Sequence, residues 1–169
     1  LNRILELDRE NLMIRCQAGV TLEKLFDAVE GTDLFFPPHP GDESAHIGGL
    51  VAENAGGARA VKYGVMREYV KGLKVIWPTG EISRLGGKIL KNNSGYDLTH
   101  LLIGNEGTLG IISEITLRLF PRPEHSATFV ISFDKAEEAI ESTSQILKRG
   151  FRPLAIEYVE RKLMEDTAE

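Results

Sequence analysis

The segment HIGGLVAENAGGARAVKYGV, residues 46–65, carries Gly48, Gly49, Gly56, Gly57 and Gly64 and almost no bulk. Glycine loses more conformational freedom on folding than any other residue, so an ordered chain that concentrates it must gain something in return. A second concentration follows in GNEGTLG, with Gly104, Gly107 and Gly110. Neither stretch has the spacing of hairpin turns. Turns and close packing can account for any single glycine, but clusters of this density read as loops that bring backbone close to a ligand. Such loops present N–H groups to phosphates or flat rings. The familiar nucleotide motifs are missing. GNEGTLG has spacing three and three instead of G-x-G-x-x-G, and no G-x-x-x-x-G-K-[ST] occurs, which disfavours Rossmann and P-loop folds.

Around these stretches the chain reads as an α+β domain. RILEL and LMIRCQAGV alternate as two strands joined by a turn at Asp8, Glu10 and Asn11. Thr21 caps a helix with Leu22, Leu25, Phe26 and Val29 on one face, and Gly31 closes it. LFFPPHPGDES is an extended, proline-rich loop. YVKGLKVIWPTGEISRL is a hairpin, with Pro78 and Gly80 suited to a type I turn. A loop and the short helix YDLTHLLIG lead to the strand IISEITLRLF, with Ile115, Leu117 and Leu119 opposite Glu114, Thr116 and Arg118. Beyond Pro123 the texture changes. ATFVISF is a strand, Asp134 and Glu137 open a helix as a capping box, Gly150 ends it, and PLAIEYV is a second strand. Residues 124–160 therefore spell β-α-β, the opening of a separate unit.

Composition excludes several classes. With 42% hydrophobic and 27% charged residues the chain is ordinary globular protein, and a net charge of −5 lends a nucleic-acid surface no support. No apolar run approaches the ~20 residues of a membrane span. The single cysteine, Cys16, reads as a small buried hydrophobe, and with no visible signal peptide a cytoplasmic location is expected. The chain opens on Leu1 and stops soon after a strand-like run, which suggests a fragment.

FFPPHPGDESAHIGGLVAENAGGARAVKYGVMREYVKGLKVIWPTGEI and NNSGYDLTHLLIGNEGTLGIISEITLRLFPRP carry a resemblance. P-P-x-P, I-G-G…N-A-G-G, K-Y-G, G-Y-D-L and G-x-E-G-T-L-G-I-I together resemble the PCMH-type FAD-binding domain of the vanillyl-alcohol oxidase superfamily, in its glycolate oxidase D subunit and D-lactate dehydrogenase branch. Residues 1–123 then correspond to the second subdomain of that domain. Residues 124–169 correspond to the start of a ferredoxin-like β-α-β cap.

The resemblance implies noncovalent FAD lying between two α+β subdomains. Pro38, His39, His46, Ile47, Gly48, Gly49, Asn54, Ala55, Gly56 and Gly57 would line the flavin and its ribityl chain, and a side chain at Gly56 or Gly57 would occupy the ring's space. Glu106, Gly107 and Gly110 would meet other parts of the cofactor, with Ile111 and Ile112 near the adenine half. The family usually has Asp at the position of His39 and often Thr at that of His46. A histidine beside a flavin can donate to its N5 or C2 oxygen or titrate near neutral pH, and each also reads as an ordinary loop residue. His39 and His46 lack a third partner for a metal. His100 and His125 read as solvated element ends.

The activity implied is oxidation of a small 2-hydroxy acid, glycolate or D-lactate, by hydride transfer to flavin, other oxidase subunits being candidate partners. The catalytic base and any metal site would follow residue 169, and the loop for the FAD pyrophosphate would precede residue 1. No catalytic or metal-binding residue is expected in this chain. Two rivals stand beside this reading. One is a non-catalytic flavin-binding or assembly subunit of a multi-subunit oxidase. The other is a flavin reductase of the enolpyruvyl-sugar type, which G-Y-D-L followed by GNEGTLGII fits less well. With one wall missing, the chain alone is expected to hold FAD poorly and to expose an apolar wall of Ile47, Leu50 and Ile112.

Overall fold

Five strands assemble into one antiparallel sheet, in the order β1-β2-β6-β4-β5, in a computed structural model that describes residues 1–167. The strands are β1 (Ile4–Asp8), β2 (Met13–Gln17), β4 (Val70–Ile76), β5 (Ile82–Gly86) and β6 (Ile111–Arg118). Two hairpins, β1-β2 and β4-β5, lie side by side and β6 joins them. The first turn forms as its residues suggest: Asp8 Oδ1 accepts the Asn11 N–H at 3.0 Å. In the second, the Gly80 N–H donates to the Trp77 carbonyl at 2.8 Å, with Gly80 at φ 84°. β3 (Leu34–Phe35) and β7 (Phe120–Pro121) form a separate two-stranded ribbon.

The sheet has two unlike faces. Ile14, Cys16, Leu73, Val75, Ile115 and Leu117 belong to the buried core with Leu22, Leu25 and Val29 of helix α1 (Leu22–Val29). Burial also pushes the Cys16 thiol up to about 12, so it is inert packing. On the other face Glu114 of β6 meets Lys74 Nζ at 3.0 Å, Arg15 Nη1 at 3.3 Å and Arg84 Nη1 at 3.6 Å. Glu114 lies opposite Lys74 in register, so this cluster follows directly from the period-two alternation of the strands.

Thr21 caps α1 as expected, its Oγ1 accepting the Lys24 N–H at 3.2 Å. The remaining helices up to residue 102 are short: α2 (Ile47–Glu53), α3 (Ala60–Tyr63) and α4 (Leu98–Leu102). α2 corrects the expectation of a loop over 47–53. Gly48 and Gly49 are weak helix formers, but tertiary packing overrides propensity here: Ile47, Leu50 and Val51 are buried on one side of the helix.

Beyond Pro123 the expected β-α-β is realised only in its helix, α5 (Ala136–Lys148), closed by Gly150 at φ 84°. Among the described residues, 127–133 and 153–159 form no strand. An extended segment needs a neighbouring strand to satisfy its backbone, and these two find none. The capping box does not form either. The N-cap is Lys135, so Glu137 sits one position too early to reach back, and Asp134 lies outside the helix. A last helix, α6 (Arg161–Thr167), follows, and the final two residues of the expected 124–169 unit lie outside the described residues. No helix among the described residues is long and apolar enough to cross a membrane.

Candidate functional site

The two glycine-rich stretches meet at the C-terminal end of α2. The last turn of a helix leaves carbonyls without intrahelical partners. Here the Gly104 N–H donates to the Val51 carbonyl at 3.1 Å, and the Glu106 N–H to the Ala52 carbonyl at 2.9 Å. Asn54 ends α2 in the left-handed conformation, φ 54°, a state asparagine tolerates better than most residues. Ala55 continues the turn, its N–H donating to Leu50 O and its carbonyl accepting from Met66 N–H. The partner turn is tight as well: Gly104, Glu106 and Gly107 have φ of 82°, 52° and 77°. Asn105 Oδ1 closes it by accepting the Gly107 N–H at 2.6 Å. Positive φ at Glu106, without a glycine's freedom, marks a conformation that the surrounding structure imposes.

The other end of α2 is stitched to the end of β2. Ile47 N–H donates to Val20 O and Gly48 N–H to Ala18 O, both at 2.8 Å. A Cβ on Gly48 would lie 2.7 Å from that of Ala18, so this glycine serves helix-on-strand approach. The same holds elsewhere. A Cβ on Gly56 would sit 2.9 Å from Val65 Cγ1, and one on Gly110 would sit 3.0 Å from Val75 Cγ1. A Cβ on Gly57 would fall on the His39 carbonyl. This revises the expectation that Gly56 and Gly57 make room for a ring: their Cβ space is already taken by the chain's own atoms. Gly49 and Gly107 differ. Both are exposed, and a Cβ there meets nothing within 4 Å. They are the open positions of the two stretches.

The expected apolar wall is not exposed. Ile47, Leu50 and Ile112 are core residues, turned inward because α2 packs on the sheet. Pro38 is buried too. The apolar surface at the rim is supplied instead by Ile111, which is 66% exposed at the start of β6. Of the histidines, His39 is engaged within its own loop, its Nε2 3.0 Å from Glu43 Oε1 and its ring stacked on Phe26. His46 is exposed at the N-cap of α2 and makes no side-chain cap bond. His100 Nδ1 lies 2.6 Å from Asp97 Oδ2, and the His100 backbone N–H holds the Asp97 carboxyl below its ordinary range. That pair lines a separate groove of about 280 Å³ with Lys71, Arg84, Leu85 and Tyr96.

Arg67 is the residue that sequence reasoning missed. Its backbone N–H donates to Asn54 Oδ1 at 2.9 Å, Nη1 to His100 O and Nη2 to Ile103 O, both at 2.8 Å. Its partners are mostly backbone carbonyls, which leave no signature in a sequence. The junction presents a shelf of small, backbone-rich surface on which Gly107 is open, while Gly49 is open on α2 and Ile111 is exposed at the start of β6. Open glycines suit contact with a flat ring or a polyol chain.

The comparisons with known proteins point the same way. The profile of the FAD binding domain family matches residues 1–86, which takes in α2 and the first glycine-rich stretch. A D-lactate dehydrogenase of Anaerostipes hadrus is 44% identical over 99% of this chain and 35% of its own length. A D-lactate dehydrogenase of Archaeoglobus fulgidus is 45% identical over 95% of this chain and 36% of its own. The glycolate oxidase subunit GlcD of Bacillus subtilis is 42% identical over 95% of this chain and 34% of its own. The chain thus spans about a third of the length of these relatives. A shelf of open glycines, a family profile over half the chain and identity above 40% agree: the chain belongs to the FAD binding domain family.

Proposed function

We propose that the full-length protein is an FAD-dependent dehydrogenase or oxidase of a small 2-hydroxy acid, of the D-lactate or glycolate kind. One observation carries the reading: the hydrogen-bonded junction of α2 with the Gly104–Gly110 turn, each of which keeps an open glycine position, Gly49 and Gly107. The names of the relatives supply the substrate class. FAD, when bound, supplies the two-electron redox chemistry. The share of this chain is to bind and orient. Gly49, Gly107 and the backbone of Asn54–Gly57 and Glu106–Gly110 offer close approach, and Ile111 offers an apolar contact. No residue of the shelf moves the substrate's hydroxyl proton, and we place that base outside this chain. Residues 1–123 are read as the second subdomain of the FAD unit, and residues from 124 onward as the opening of a cap. The buried core, whose last member or packed neighbour is Phe120, supports that boundary.

The test is direct. Full-length protein should purify yellow, release free FAD on denaturation, bleach on anaerobic addition of D-lactate or glycolate, and ignore nicotinamide nucleotides. Protein that is colourless and takes up no FAD on reconstitution overturns the reading.

A further inference from the structure

We propose that Arg67 is a positioning residue for the flavin shelf, acting through Asn54 and Gly104 without touching the cofactor; this rests on the flavin reading above. The bonds form a closed circuit. α2 ends at Asn54, whose Oδ1 accepts the Arg67 N–H. The guanidinium of Arg67 reaches the His100 and Ile103 carbonyls at the end of α4, where a helix lacks its own donors. Gly104 follows the C-cap Ile103 of α4 and returns to α2 through its N–H to Val51 O, seconded by Glu106 N–H to Ala52 O. Arg67 lies inside this ring: a Cβ on Gly104 would be 3.8 Å from its Nη2 and 3.4 Å from the Cβ of Asn54.

The chemistry suits arginine. Two carbonyls three residues apart need two donors in a fixed plane, and a guanidinium offers them as a fork while an ammonium acts as a single point. The residues so held, Asn54, Gly104, Glu106 and Gly107, are all in the left-handed region. Such turns are costly to assemble at the moment of binding, and holding them beforehand removes that cost from the affinity for ligand.

The experiment uses full-length protein stripped of flavin, with three variants. Arg67→Lys keeps the charge and loses the fork. Asn54→Gly cuts the circuit at another joint and is free of strain at φ 54°. Glu114→Gln is the control: it disturbs the charged face of the sheet, where its partners Arg15, Lys74 and Arg84 are no part of the circuit. Fluorescence titration with FAD should show Kd raised about tenfold in Arg67→Lys, the equivalent of one strong bond, and raised less in Asn54→Gly. Glu114→Gln should stay within about twofold even where it lowers stability. Without flavin, the Gly104 and Glu106 amides should exchange with solvent about tenfold faster in Arg67→Lys than in Glu114→Gln. Unchanged affinity in both circuit variants, or affinity loss that merely follows stability across all three, overturns the role of Arg67. Wild-type protein that binds no FAD overturns the flavin reading itself, an outcome visible before any variant is made.

Discussion

The α-carbon of Gly57 faces the carbonyl oxygen of His39 so closely that no Cβ fits between them. The relationship separates two roles that glycine plays in one short stretch. Gly57→Ala should push the Pro38–Pro40 loop away and cost about 1–3 kcal/mol of stability, as overpacking does. Gly49→Ala should behave oppositely in the fold, gaining roughly 0.5–1 kcal/mol because its Cβ meets open space on a helix. In full-length protein, however, Gly49→Ala should weaken FAD binding. Urea unfolding and flavin titration of both variants check the pair; a destabilised Gly49→Ala with normal flavin affinity contradicts it.

The charged face of the sheet should give an acid-sensitive stability. The Lys74 ammonium, followed by the charges of Arg84 and Arg15, holds the Glu114 carboxyl below its ordinary 4.5. Hydrogen bonds from Lys88 and Asn11 bring Asp8 from 3.8 down to about 2. Both folded values lie below the unfolded ones, so the stabilisation is present above the unfolded pKa and lost as pH falls through the folded one. Melting temperature should therefore drop between about pH 4.5 and pH 2. The fall should be shallower in Glu114→Gln than in wild type.

At the centre of the sheet Ile115 stands between Cys16 and Leu73 and is fully buried. Ile115→Ala should cost about 2–5 kcal/mol and Ile115→Val about 0.5–1.5, measured by denaturant unfolding. Equal small losses would mean that the two hairpins do not need β6 to be tightly packed.

No residue beyond Phe120 belongs to the core or packs on it, among the described residues. Trimming the chain after Pro123 should thus leave the melting midpoint within about 4 °C, the shift that roughly 1 kcal/mol produces in a domain of this size. A larger fall would show that 124–160 braces the sheet.

The isolated chain should hold FAD weakly. One shelf leaves the other face of the cofactor in water, and ordering a long flexible ligand there has few contacts to offset it. Quenching of flavin fluorescence that saturates at micromolar concentration or below would show that this shelf suffices.

What could be read from the sequence was local. Thr21, Gly31 and the Pro78–Gly80 turn form as their residues suggest because cap and turn chemistry acts over three or four positions. The presence of a ligand-facing glycine region was legible from its density, but not which glycines face outward. That depends on Ala18, His39, Val65 and Val75 lying against four of them, contacts beyond the reach of local pattern. α2 was hidden by Gly48 and Gly49, whose poor propensity is overruled by burial of Ile47, Leu50 and Val51. The strands expected at 127–133 and 153–159 have the right alternation and no neighbour, and pattern alone cannot supply a neighbour.

β6 is the last of the five sheet strands to be synthesised and the one that fuses the two hairpins. Met13 waits for Arg118, its partner roughly a hundred residues later in the chain. On the ribosome β2 and β4 therefore emerge as open edges, each offering unpaired backbone to whatever strand arrives first. Sheets closed by such distant pairings form slowly and are vulnerable to association while they wait. A weakened β6 will lengthen that interval in every newly made copy, and the amount of protein recovered from the cell will fall before the finished molecule shows any defect.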